Sequence, residues 1–463
     1  MKTIKKYIKI GLLHFVAFTF LCNSCDNFVE VELPDSQLTA PDIFEEMATA
    51  NAAMTSIYSK IRDSGLLTGS PNGLSHQLGN YTDELEYYGS SQNVTIDFYN
   101  NALSASNNDL RGLWSATYNQ IYATNAILYG AENSTKLSMD NRDQLRGEAL
   151  FVRALLHFYL VNLYGDIPYI INTDYTQNST VSRLATLSVY TAIKADLVEA
   201  IALLPENYLN SNRVRPNKLT ARALLARLNL YAGMWDDAAN EASAILNTNL
   251  YVWEDNIDHV FLKESLSTIW QLSPAQSDNN TEEGSTFIFT SGPPPMSALN
   301  SNLVGAFPLG DLRRTHWIGE VTNGTNTWYH PNKYKHTLTE GGSQEYSILF
   351  RLAEQYLIRA EARAHLGDLT GAKEDLNKVR NRAGLPNTAA QSATDIITDI
   401  LEERRFEFFT ELGHRFFDLK RTNQLTNILS VSKPYWNDTD SLLPIPASEL
   451  LLNPNLAPQN PGY

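Results

Sequence analysis

Cysteine is almost missing from this 463-residue chain, which carries only Cys22 and Cys25. With a leader removed ahead of Cys25 a single thiol remains, so no intramolecular disulfide can form. An exported chain of this kind must be held by its own core, and its length buries enough surface for that. Basic charge is short as well: 36 Lys and Arg stand against 51 Asp and Glu, a formal net charge of −15. That excludes the concentrated basic surface that nucleic acid demands, and attachment to an anionic membrane by charge. Zinc-type His/Cys spacing and a glycine-rich phosphate loop are both missing, so the sequence implies neither metal nor cofactor. The apolar run from Ile10 to Leu21 is too short to span a bilayer, which takes about 20 residues.

What is present starts with that same run. Lys2, Lys5, Lys6 and Lys9 precede it and Cys22-Asn23-Ser24-Cys25 follows, the layout of a secretory signal. Ser24 before Cys25 resembles a bacterial lipobox, in which the cysteine is lipidated and becomes the first residue of the mature chain. Cys22 is the worse candidate because bulky Leu21 precedes it. Residues 1–24 are expected to be a lipoprotein signal peptide, Cys25 the lipidation site and 25–40 an acidic, extended tether.

Four blocks read as helical, about 41–63, 109–163, 188–247 and 346–424. In the second, Leu145, Ala149, Val152, Leu156 and Leu160 recur at three- and four-residue steps, the period of one buried face, until Gly165 and Pro168 stop it. Ala226 and Ala238 lie twelve residues apart around Gly233; Ala360 and Ala372 do the same around Gly367. Small residues on paired helices with glycine at the turn are the core of the tetratricopeptide pattern. Residues 248–345 lose the helical period and gain Gly, Pro, Asn, Ser, Thr and aromatics. The expected architecture is mainly α: a 41–247 region of helical hairpins and ligand loops, an irregular 248–345 subdomain of loops and short strands, and a 346–463 region with a hairpin and an extended tail.

Several segments together resemble one family. They are Cys25-Asp26-Asn27-Phe28-Val29-Glu30; Arg146-Gly147-Glu148-Ala149 through to Tyr164-Gly165-Asp166-Ile167-Pro168; Arg351-Leu352-Ala353-Glu354 through to Glu361-Ala362; Leu401-Glu402-Glu403-Arg404-Arg405; Gly413-His414-Arg415-Phe416-Phe417-Asp418; and the end from Leu443-Pro444 to Gln459-Asn460-Pro461-Gly462-Tyr463. In this order they resemble the SusD/RagB outer-membrane nutrient-binding lipoproteins of Bacteroidetes. The resemblance implies a tetratricopeptide-like fold, no enzymatic activity, and a SusC-like TonB-dependent barrel as partner, over which the protein acts as a lid. It also implies a nutrient ligand, with oligosaccharide favoured over oligopeptide.

Two stretches offer the flat rings and polar groups that a glycan needs. The first runs from Asn80 to Gly89 and on from Asp97 to Asn101; there Asp83, Tyr87, Tyr88 and Asn101 fit the family's ligand loops by position. The second holds Asp311, Arg313, Arg314, Trp317, Trp328 and Tyr329, with Trp317 and Trp328 as candidate stacking residues. Trp114, Trp235 and Trp270 lie in periodic or apolar context and read as core. The Glu/Arg run from Glu402 to Glu411 and the His414/Arg415/Asp418 group imitate catalytic sets, but such spacing on helices points to ion pairs. Two other readings compete: a glycosidase using carboxylates from Asp83 to Glu86, and a tetratricopeptide scaffold that binds protein alone.

Overall fold

The structure is a computed structural model that describes residues 42–463. The leader, the lipobox with Cys25 and the whole 25–40 tether lie outside the described residues. The first long helix, Met47–Asp63, starts later than the sequence suggests, at Glu46, whose side chain makes no cap bond.

The helix Met139–Tyr164 is the spine. Every residue from Gly147 to Tyr164 is buried, so it is surrounded rather than amphipathic. Ser138 caps its start through the Asn141 amide, and Gly165, at φ 74°, turns the chain away. Its buried charges are paired: Arg153 with Asp196 at 2.6 Å, and Glu148 with Arg215 at 2.5 Å. Arg146, immediately before the buried stretch, meets Glu199 at the surface. The helices Asn108–Asn133 and Thr186–Leu203 both pack against this spine.

Both hairpins read from the alanine spacing exist. The first pairs Lys218–Tyr231 with Trp235–Leu246, the second Leu352–His365 with Leu369–Arg382. Ala226, Ala238, Ala360 and Ala372 have no exposed surface, which lets the paired helices approach closely. The two hairpins share one apolar cluster that joins Ala226, Leu230 and Ala242 to Ile358 and Ala362. Trp235, expected in the core, lies half-exposed over that seam, its ring 3.8 Å from His365 and nearly parallel to it. Trp114 and Trp270 are buried as expected.

Residues 248–345 are not a body apart. They hold β2 (Thr268–Leu272), β3 (Ser297–Leu299), β4 (Ile318–Thr322) and β5 (Thr327–Pro331), plus three short helices. Strand β3 pairs antiparallel with β1 (Leu85–Tyr87), and β2 with β6 (Ser347–Arg351), so two of the three sheets tie this stretch to segments on either side. Their common core includes Leu85, Phe406 and Phe409.

Trp317 belongs to that core, and this corrects its reading as a ligand platform. It is fully buried, its indole donates to the Ile257 carbonyl at 3.1 Å, and Phe261 meets it edge-on at 5.4 Å. It offers no face to a ligand. The Glu/Arg run is likewise structural. Glu407 is buried among Arg313, Arg351 and Arg382, Glu403 meets Arg313 and Arg380, and Asp418 binds Arg404 and Arg421. His414 packs against Phe408.

The chain end returns to the spine. The Asn460 side chain donates to the Tyr164 and Leu443 carbonyls, and the Leu443 amide donates to the Leu163 carbonyl.

Two stability outcomes follow from this packing. Gly233 and Gly367 hold φ 69° and 85°, and a Cβ at either would meet no atom closer than 3.7 Å, so strain rather than collision opposes substitution. Changing either to valine is expected to cost about 1 kcal/mol or more, read by chemical denaturation. Trp317→Ala is expected to cost roughly 3–5 kcal/mol, the range for truncating a buried aromatic. A melting temperature equal to wild type would place that ring outside the core.

Candidate functional site

The candidate site is built around β1. Its preceding helix, Leu74–Tyr81, is buried along its whole length and carries His76 and Asn80 inward. Asn80 donates to the His76 carbonyl and accepts from Ser297 of β3 at 3.0 Å, while a His76 ring nitrogen lies 3.0 Å from the same serine oxygen. These bonds set the register in which Tyr87 faces Ser297. The chain then leaves the sheet with the Tyr88 and Gly89 amides both on the Met296 carbonyl.

Three tyrosines gather at this edge. Tyr88 is 40% exposed, and its hydroxyl donates to Glu86 at 2.9 Å. Tyr87 and Tyr99 are half-buried, with ring centroids 6.3 Å apart and a tilt of 36°. Desolvation, then Glu86, pushes the Tyr88 hydroxyl up to about 12, so it remains a neutral donor at any physiological pH. Trp328, expected to be a stacking residue, is only 9% exposed and packs with Phe289 and Ala298, so it presents little face to a ligand.

From beneath, Lys433 reaches in from a segment more than 300 residues away. Its ammonium donates to the Asn80 and Tyr99 carbonyls and sits 4.0 Å from the Tyr99 ring centroid. Burial pushes it down to about 7, while Asp83 and Glu86 pull the other way. The sequence gives no signal for Lys433. Tyr99 and Glu86 lie within the stretch that the sequence singles out, yet their side chains join the site only through the fold.

Asp83 and Asn101 do not join it. Both Asp83 oxygens are held by Arg415 at 2.8 Å, with Arg405 at 3.5 Å. Burial raises that carboxyl, but the Arg415 guanidinium outweighs it and holds the group below its ordinary value. Asn101 is buried at φ 49° and donates to the Tyr81 carbonyl, bracing the loop from behind. Glu84 is buried and accepts from the Thr410 amide. Of the carboxylates from Asp83 to Glu86, Glu86 alone faces the tyrosines. It has no ion-pair partner among the described residues.

A wide groove of about 1070 Å³ lies elsewhere, between the first hairpin turn and the helix His414–Arg421. Most of its charged walls are already spent on one another, Asp83 on Arg415, and Glu361 and Asp418 on Arg421. No group of His, Cys, Asp and Glu among the described residues is arranged to hold a metal ion.

The fold has counterparts. The family model described as the SusD family matches residues 314–463, and one described as starch-binding and associating with the outer membrane matches residues 27–230. SusD-like protein P25 of Formosa agariphila is 24% identical, covering 98% of this chain and 99% of its own. A SusD superfamily protein of Bacteroides vulgatus superposes with a TM-score of 0.79 at 21% identity, over 90% of this chain and 99% of that one. A laminarin-binding SusD-like protein superposes with a TM-score of 0.76 at 25% identity, over 90% and 99%. With two family models that between them span most of its length, the chain belongs to the SusD/RagB family.

Proposed function

We propose that this protein is a non-enzymatic outer-membrane lipoprotein that binds an oligosaccharide and delivers it to a SusC-like TonB-dependent barrel, over which it closes as a lid. The observation that carries the binding role is the tyrosine cluster beside Glu86. Flat rings stack on sugar faces, and a carboxylate without a counter-ion accepts sugar hydroxyls. The laminarin-binding relative supports a glycan over a peptide. The carboxylates support binding over hydrolysis. A glycosidase needs two free carboxyl groups roughly 5–10 Å apart, whereas Asp83 is clamped and Glu84 buried. Lipid on Cys25 would provide the anchor, since no helix among the described residues is long and apolar enough to cross a membrane.

Titration calorimetry with β-glucan and α-glucan oligosaccharides tests the site. Tyr87→Ala and Tyr88→Ala are each expected to weaken binding on the order of tenfold or more, the loss of a stacking hot spot, while melting as wild type does. Wild-type affinity in both variants would move the site elsewhere, and binding of oligopeptides with no response to any glycan would move the ligand class.

Fractionation tests the anchor. Cys25→Ala is expected to release the protein from outer membranes prepared without the barrel, and its retention there would refute the lipobox.

A further inference from the structure

A second cavity, of about 670 Å³, lies where the spine ends, between the start of the helix Thr186–Leu203, the helix His414–Arg421 and the chain end. It shares no lining residue with the tyrosine cluster and is of the size that holds a small ligand. Three cations line it, and one of them, Arg421, is tied to Glu361 and Asp418, which leaves Lys420 and Arg183. Lys420 donates to the Asn162 carbonyl at 2.7 Å, and Arg183 donates to the Asp166 and Pro458 carbonyls and the Asn460 side chain, each at 2.7 Å.

By their partners these two join Lys433 and Arg213, which also bond carbonyls alone, and differ from most of the buried arginines. Arg153, Arg227, Arg313, Arg351, Arg404 and Arg421 each meet a carboxylate within ion-pair distance. Neither Lys420 nor Arg183 does so among the described residues, in a chain whose net charge is −15. An ammonium has three donors and a guanidinium five, so both keep N–H groups unspent at the cavity. Burial alone pushes Lys420 down to about 7, as befits a cation that lacks a counter-ion.

We infer that this cavity is a second binding site, for a sugar bearing a carboxylate or a sulfate. Lys420 and Arg183 take the anionic group by charge-assisted hydrogen bonds. The partly exposed rings of Tyr190 and Tyr231 line the same space and give a sugar ring its apolar contact. Asp166 completes the match. One of its oxygens accepts from the Thr186 amide and hydroxyl, at 2.9 and 3.0 Å, and the other is left for a sugar hydroxyl. A bare anion leaves that carboxylate and those rings without a partner; an acidic sugar uses all of them. Glu361 and Asp418, the other acidic groups nearby, are tied to Arg421, and Asp418 also to Arg404.

Calorimetry on the purified mature chain, with a galacturonate disaccharide, a sulfated galactose disaccharide and the neutral galactose disaccharide, decides the matter. Binding of one or both acidic probes with none of the neutral one is expected, and the two arms say whether carboxylate or sulfate is the preferred group. Lys420→Met is expected to weaken that binding on the order of tenfold, and Lys420→Arg to retain it. Tyr88→Ala is expected to leave it unchanged, so failure here and failure of the tyrosine site are separable. Should Lys420→Met melt far below wild type, Arg183→Gln carries the same test. Equal binding of the neutral probe, silence from both acidic probes, or competition by inorganic sulfate as strong as by the sulfated sugar would overturn the proposal.

Discussion

Much of the structure hangs on one buried carboxylate. Glu407 has no exposed surface and is met by Arg351 and Arg382 on one oxygen and by Arg313 at 3.2 Å on the other. Those arginines come from the end of β6, the second hairpin and a short helix of the 248–345 stretch, so one anion fastens four segments. Burial alone would favour the neutral acid; three guanidinium groups reverse that and hold Glu407 far below the ordinary carboxylate range. Such a pairing costs desolvation and contributes little net stability against an apolar substitute, but it is costly to break from one side. It specifies which segments meet.

The same cations explain Trp317. Lys333, Arg382 and Arg351 lie 5.3, 5.6 and 6.0 Å from its ring centroid, so an aromatic surrounded by polar sequence becomes the floor beneath a charged cluster. The tyrosine edge is positioned by similar long-range ties, with Lys433 beneath Tyr99 and Arg415 on Asp83. The tyrosine edge thus stands on supports drawn from a segment more than 300 residues downstream.

This bears on what could be read in advance. The hairpins were legible because their cause is local: alanine at a fixed spacing and a glycine that takes positive φ. The exposure of Tyr88 was legible because nothing periodic near it could bury it. Trp317 was not, since its burial is set by Arg351 and Arg382, which lie in other segments. Asp83 and Asn101 misled for the same reason: a polar residue in a loop reads as available until its partner, here Arg415 or the Tyr81 carbonyl, is known. Residues 248–345 looked separate because a strand's pairing partner leaves no mark on its own sequence.

The return of the chain end to the spine sets an order of events. The Leu163 and Tyr164 carbonyls find their partners in Leu443 and Asn460, nearly 300 residues downstream. Contacts of such separation close late, after the loop entropy between them has been overcome. A nascent chain that lacks its final segment therefore holds its central helix with an open end. Arrival of the 443–460 segment, rather than emergence of the hairpins, becomes the moment at which the fold can lock.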